Sequence, residues 1–322
     1  MIACGEHGFG LLARGLFDEA KYRVDPRCID QLLACRDIAI AGLGIGRGDA
    51  ERRECSGFDE LEACVQLQIE TWGYDDSDII PRKAFLVAQK IGGQVLGAFD
   101  TDLPGASSQG SPESMVGFAM SLPGVKTGPN STDGNPQAYL HSHMLAVRDR
   151  YRDRGLGAQL KLEQRREALS RGIRRIEWTF DPLEIKNAHL NIHKLGAVVR
   201  CYHVNFYGVS SSRLQGGLPT DRLVAEWYLD SPRVTGILDG SDAAEQSVKD
   251  QIKIEERILV PASIYEWKAS PGGRGKALTV QLENRLRFQN AFSQGLAVVA
   301  FTRDGEGNGV FELGRWTQPL RT

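Results

Sequence analysis

A chain of 322 residues exceeds the usual length of one domain, and its 41% hydrophobic and 25% charged content is that of a soluble globular protein. Its 39 basic against 41 acidic side chains give a formal charge of −2, which excludes any global attraction to nucleic acid. Cys4, Cys28, Cys35, Cys55, Cys64 and Cys201 form neither a C-x-x-C pair nor a zinc spacing with histidine, so no metal is expected and the thiols fit a reducing cytoplasm.

Residues 1–50 read as an N-terminal extension. Glu6 and His7 interrupt the first apolar stretch, which makes a poor signal peptide. The apolar run from Ile38 to Ile45 is too short to span a bilayer, so no membrane partner is expected. The glycines of Ile38–Gly46 lack the third position of a dinucleotide turn, and the segment reads as strand or loop. Leu61, Val65 and Ile69 then repeat at helical spacing and predict a helix over Phe58–Trp72. Ile80–Lys90 reads as a second helix, Gly93–Phe99 and Val116–Leu122 as strands. Segments 100–113 and 123–137, rich in Gly, Pro, Ser, Asn and Asp, read as exposed loops.

Tyr139–Val147 is a strand leading through a basic loop into a helix that begins near Gly155. The loop carries Arg152-x-x-Gly155-x-Gly157. The first N–H groups of a helix have no internal partner and lie at the positive end of its dipole. Glycines let an anion reach that backbone, and Arg152 and Arg154 can add charge-assisted hydrogen bonds. Between Arg148 and Arg175 nine Arg and one Lys face Asp149, Asp153, Glu163 and Glu167, a local excess suited to a small polyanion. Ile173–Phe180 follows as a strand. Asp181-Pro182-Leu183-Glu184 reads as a capped helix start, with Ile185, Ala188, Ile192 and Leu195 as its apolar stripe and Gly196 as its stop. Arg222–Tyr228 is the next strand, and a boundary is placed in the charged stretch 231–256. Beyond it Ile258–Ile264 reads as a strand and Ala277–Phe292 as a helix striped by Leu278, Leu282 and Leu286. Leu296–Thr302 and Val310–Trp316 form a hairpin around Asp304–Gly309.

The strand, the R-x-x-G-x-G turn and the elements after it resemble the acyl-CoA-binding core of the GNAT superfamily of N-acyltransferases over roughly residues 51–230. Trp178-Thr-Phe-Asp-Pro-Leu183 and Asn187-Ala-His-Leu-Asn-Ile-His-Lys-Leu-Gly-Ala197 are similar to a bacterial branch of that superfamily. The resemblance implies an α/β (α+β) fold with a mixed, mostly antiparallel central sheet flanked by helices. Residues 231–322 would then form a small helix-plus-hairpin subdomain covering or extending that sheet. It implies acetyl-CoA or another acyl-CoA as cosubstrate, with Arg152, Arg154, Gly155, Leu156, Gly157 and Ala158 at the pyrophosphate. Backbone groups at Leu145 and Val147, and Asn187, would meet the pantetheine arm, and Trp178 and Asn191 the acceptor.

The activity so implied is acyl transfer to a small-molecule or peptide amine by direct attack in a ternary complex, in the cytoplasm, with a homodimer left open. The general base of one family branch stands six residues before the position of Val147, which here is His141; His143 is the second candidate, and water the remaining route. The tyrosine that many relatives use to protonate the departing thiolate is replaced by Ile192, with His189, His193 and Tyr202 as substitutes. That replacement leaves a second reading, a GNAT-like protein that binds CoA or another ligand without catalysis. A third, an RNA-associated modifier, would rest on the basic patch alone.

Overall fold

The computed structural model describes residues 50–103, 111–126, 136–240 and 253–316. The glycine-rich segment Ile38–Gly46 lies outside the described residues. One sheet of ten strands runs in the order β1-β2-β3-β4-β5-β7-β6-β9-β10-β8. Its strands are β1 (Ala50–Glu54), β2 (Gln94–Asp100), β3 (Met115–Lys126), β4 (Gln137–Val147), β5 (Arg175–Phe180), β6 (Val198–His203), β7 (Arg222–Tyr228), β8 (Ile254–Val260), β9 (Leu296–Arg303) and β10 (Gly309–Arg315). Every pairing among the described strands is antiparallel except β4 with β5. This is the mixed, mostly antiparallel sheet that the sequence implied.

Helices cover both faces. On one face α1 (Gly57–Trp72) and α2 (Arg82–Lys90) lay Leu61, Cys64, Val65 and Phe85 against Phe99, Phe118, Met144 and Ala146. On the other face α3 (Leu156–Ser170) packs Leu156 and Leu160 on Leu96, Val116, Leu145 and Val147. Covered on both sides, β2 is buried almost throughout and shows no polar alternation. Beyond β4 the α3 face is continued by α4 (Ile185–Ala188), a π-helical turn (His189–Lys194), α5 (Pro232–Leu238), α6 (Ile264–Ala269) and α7 (Arg274–Ser293). There Trp178 meets Trp227 edge-on at 5.9 Å, and the Trp227 indole N–H donates to the Leu195 carbonyl at 2.6 Å. A buried indole so satisfied carries its apolar area without an orphaned donor.

The strand that opens the fold is β1, whose sequence AERRE has no apolar period; β2 and Arg52 and Arg53 hold it, through bonds to Gln159 and Glu60. Two local expectations are corrected. In α7 only Leu278 of the leucine stripe packs against the core; Leu282 and Leu286 face outward at 42% and 68% exposure. The helix buries Ala277, Gln281, Asn284, Phe288 and Ala291 instead, because Gln281 and Asn284 donate to the carbonyls of Pro219 and Leu259. The capping box at Asp181–Glu184 does not form. Asp181 Oδ1 accepts from the Leu183 N–H at 2.8 Å, and α4 begins only at Ile185. Asp181 Oδ2 and Glu184 Oε1 take the buried Lys268 ammonium at 2.9 and 2.7 Å, so α6 clamps this loop from outside. Among the described residues no helix is long and apolar enough to cross a membrane.

Candidate functional site

The glycine turn builds a cradle. Asp153 and Gly155 take left-handed backbone conformations at φ 58° and 82°, which turn the chain from β4 into α3. The first i→i−4 bond of α3 runs from the Gln159 N–H to the Gly155 carbonyl, 3.1 Å. The N–H groups of Leu156, Gly157 and Ala158 precede it, at the positive end of a helix of 15 residues. A Cβ on Gly157 would meet Leu145 at an ordinary 3.5 Å, so the turn packs close to β4, and glycine leaves the backbone N–H groups bare. Arg152 closes the side of the turn: its Nε donates to the Val147 carbonyl at 3.1 Å and its guanidinium pairs with Asp149 at 2.9 Å. Arg154 is exposed and lies over Tyr151, 6.0 Å from the ring centre.

The cradle opens onto a gap in the sheet. β4 and β5 pair only at Leu140–Ile176 and His141–Glu177; beyond these rungs the strands diverge. From Ser142 to Val147, β4 therefore has its ladder partner on the β3 side alone. Close to the apex β4 carries a bulge: Met120 stands opposite Met144 and Ser121 opposite Ser142, which leaves His143 as the extra residue. The bulge breaks the period of two. The expectation that Tyr139, His141, His143, Leu145 and Val147 share a face is therefore corrected. Leu140 and Ser142 point toward α3, yet so do Leu145 and Val147. His141 thus lies on the α1 face, and the His143 ring sits 6.1 Å from it.

That second face is rich in charge and aromatic rings. Glu177 and Glu226 are buried beneath Lys126, Arg175 and Arg200, which pair with them, and Tyr228 donates to Glu226 at 2.6 Å. The segments after α1 and after β6 meet above this face. Ser211 donates through N–H and hydroxyl to Asp78 at 2.8 and 2.7 Å, and Arg213 donates to the Glu70 carbonyl at 2.6 Å. Tyr207 reaches down to share a 2.9 Å hydrogen bond with Thr179 of β5, and Trp72 stacks on Tyr74 at 5.4 Å.

The remaining expected residues fall as follows. Trp178 is buried in the core at 5% exposure, on the α3 side of β5. Asn191 is buried and its carbonyl accepts from the Ala197 N–H at 2.9 Å, whereas Asn187 is exposed on α4. Ile192 is wholly buried in the core, which accounts for its side chain without a reactive role. His189 and His193 stack at 4.6 Å on the π-helical turn, and Tyr202 donates to Asp221 at 2.5 Å. Lys161 was not singled out by the sequence reading. It is buried on the inner side of α3, donates to Ser142 Oγ at 2.8 Å and lies 3.8 Å over the Trp178 ring. Its position one helical turn after Gly157 was the available signal. Among the described residues no group of three His, Cys, Asp or Glu side chains is placed to hold a metal ion.

Burial makes these groups acid-sensitive. It pushes His141 down to about 4, with His143, Lys161 and Lys126 adding repulsion, and His189 likewise to about 4. Burial lowers His143 as well. An unfolded histidine titrates near 6.5 (about), so protons bind the unfolded chain first. The stability that these neutral histidines permit is full above about pH 6.5 and is lost as the pH falls toward about 4. The urea midpoint is therefore expected to drop between about pH 7 and about pH 5; a constant midpoint would show that the histidines titrate normally.

No family model and no curated protein matches this chain. Among solved structures it is similar to an Arabidopsis thaliana protein, NAA60, in complex with a bisubstrate analogue: 16% identity, 56% of this chain, 97% of that chain, TM-score 0.43. It is similar also to the ribosomal-protein-S18-alanine N-acetyltransferase from Escherichia coli, at 14% identity over 56% of this chain and 95% of that one, TM-score 0.40. A third is Ard1 from Thermoplasma volcanium, at 13% identity, 56% and 97% coverage, TM-score 0.38.

Proposed function

We propose that this chain transfers an acyl group from acyl-CoA, acetyl-CoA first among them, to an amine by direct attack. The observation that carries this reading is the divergence of β4 and β5 directly below the glycine cradle. A buried strand edge without a partner strand is costly unless something pairs with it. The amides of a pantetheine arm are such partners, and the cradle fits the pyrophosphate at one end of the same ligand. The Leu156, Gly157 and Ala158 N–H groups would hold the phosphates, with Arg152 and Arg154 beside them. Leu145 and Val147 would pair with the arm, and Asn187 would meet it from α4. The acceptor amine would enter from the face of His141, between the joined segments after α1 and β6. His141 or water takes its proton, and a backbone N–H at the bulge polarises the thioester carbonyl. Holding both reactants in one cleft supplies rate through orientation. The domain division at residues 50 and 230 belongs to the same proposal.

The test is calorimetric titration with CoA and acetyl-CoA, followed by a screen of small-molecule and peptide amines with mass detection of the product. Affinity in the micromolar range, about −8 kcal/mol, is expected. Absence of binding at millimolar CoA sinks the proposal. Binding without any acylated product across the screen would favour the second reading, a ligand-binding protein. Within this series Arg152→Ala is expected to weaken CoA by about tenfold and pantetheine much less, because only CoA carries the pyrophosphate that a guanidinium can grip. Equal losses would mean that Arg152 serves the turn, through Val147 and Asp149, rather than the ligand.

A further inference from the structure

We propose that Lys161 is the general acid of this transfer: it gives the proton that the departing CoA thiolate takes up. The inference rests on the acyl-CoA reading above. It starts from a buried ammonium that the fold does not otherwise explain. Lys161 is 4% exposed, and among the described residues no carboxylate pairs with it. Compare Lys268, which is also buried but held by Asp181 and Glu184. Instead Lys161 Nζ has the Ser142 hydroxyl at 2.8 Å and the Trp178 ring face at 3.8 Å. Ser142 in turn donates to Gln164 Oε1 at 3.0 Å.

Position supplies the second argument. Ser142 and Trp178 are the first residues beyond the last β4–β5 rungs, one on each diverging strand. Lys161 therefore bridges the two strands at the apex of the gap, from the α3 side, one helical turn inward from Gly157. His141 belongs to the last rung and lies on the opposite face. The apex thus has a base candidate on one side and an acid on the other.

The surroundings suit the role. The groups facing Lys161 are Ser142 on β4 and Trp178 on β5, with Gln164 of its own helix behind Ser142; His141 and His143 lie on the other side of the β4 backbone. Burial lowers its ammonium to about 7, where proton donation near neutral pH is easy. His141 is held lower, so between about pH 4 and about pH 7 the histidine is neutral while the lysine carries a proton. Such separated pairs assign acid and base. In the transfer the amine nitrogen bonds to the acyl carbon, and the carbon–sulfur bond breaks with its electron pair going to sulfur. Lys161 passes its proton to that sulfur, which leaves as the thiol. The amine's surplus proton goes to His141 or water, and Lys161 is reprotonated from solvent as products leave. Protons and electrons balance without a further reactant.

The experiment titrates the thiol of bound CoA by its ultraviolet thiolate absorbance, with desulfo-CoA as the blank, in the parent and in Lys161→Met. Methionine fills the same space and removes a charge without a carboxylate partner, so the variant is expected to fold. An ammonium at the sulfur should lower the bound thiol by about one unit or more against an ordinary thiol near about 8.5. The variant should lose that shift while keeping its affinity for desulfo-CoA within about twofold. Equal thiol titration in parent and variant overturns the inference and leaves the acyl-CoA reading intact. So does an unshifted thiol in the parent alone, which needs no variant. Failure of the parent to bind CoA overturns both.

Discussion

Gly157→Glu is expected to abolish CoA binding while leaving the protein as stable as its parent. Gly157 is not held by a left-handed φ, and an added Cβ would meet Leu145 at an ordinary 3.5 Å. The position lies in the first turn of α3, where glutamate is a better helix former than glycine by about 0.5–1 kcal/mol and its charge complements the dipole. The fold therefore has no reason to object. The ligand does: a carboxylate would stand where the N–H groups of Leu156, Gly157 and Ala158 await phosphate. A loss of about a hundredfold or more, about 2.7 kcal/mol, should appear by calorimetry, with an unchanged melting temperature. A variant that binds CoA as tightly as the parent would place the ligand elsewhere.

His141→Ala is expected to cost about a hundredfold in kcat/KM, with CoA affinity little changed, once an acceptor amine is in hand. Its pH behaviour is the sharper test. Burial pushes His141 down to about 4, so it is already neutral through the range where most amines begin to lose their proton. The parent should show no histidine limb near about 6.5; its rate should rise with the free amine and bend over above about pH 7, where Lys161 gives up its proton. The deficit of the variant should shrink as pH rises, because a deprotonated amine needs no base. Near-parental rates at all pH values would leave deprotonation to water. A variant that fails to fold would mark His141 as a packing residue; measuring His141→Gln, which keeps the polar contact and loses the basicity, separates these outcomes.

The elements that carry a strong period or a turn signal were legible in the chain itself. The glycine turn, the helix after it and the strand Arg222–Tyr228 lie where the sequence places them. The resemblance supplied the mixed, mostly antiparallel character of the sheet, which no local pattern contains; the order of its strands came only with the fold. What stayed hidden has physical causes. β1 is a strand because a neighbour pairs with it, and its five residues say nothing of that. The bulge at His143 depends on the register between β3 and β4, so the faces of the residues beyond it could not be counted off. Lys161 was passed over because a lysine in a helix is assumed to face water, yet α3 buries Gln159, Lys161 and Gln164. The cluster around Glu177 and Glu226 joins β3, β5, β6 and β7, and only the folded sheet brings it together.

The pairing of β6 with β9 through Val199 and Val298 joins the last three strands to the seven before them. A sheet ending at β6 would present a row of open hydrogen-bonding groups beside an apolar core, a template for stacking copies into fibrils. The chain's own C-terminal strands occupy that place. The boundary of the sheet is moved outward to β8, where Glu255, Glu256 and Arg257 stand, and at the far side to β1, with Arg52, Arg53 and Glu54. Two copies meeting edge to edge would have to bury those charges. Among the described residues, self-templated growth is thus opposed at both margins.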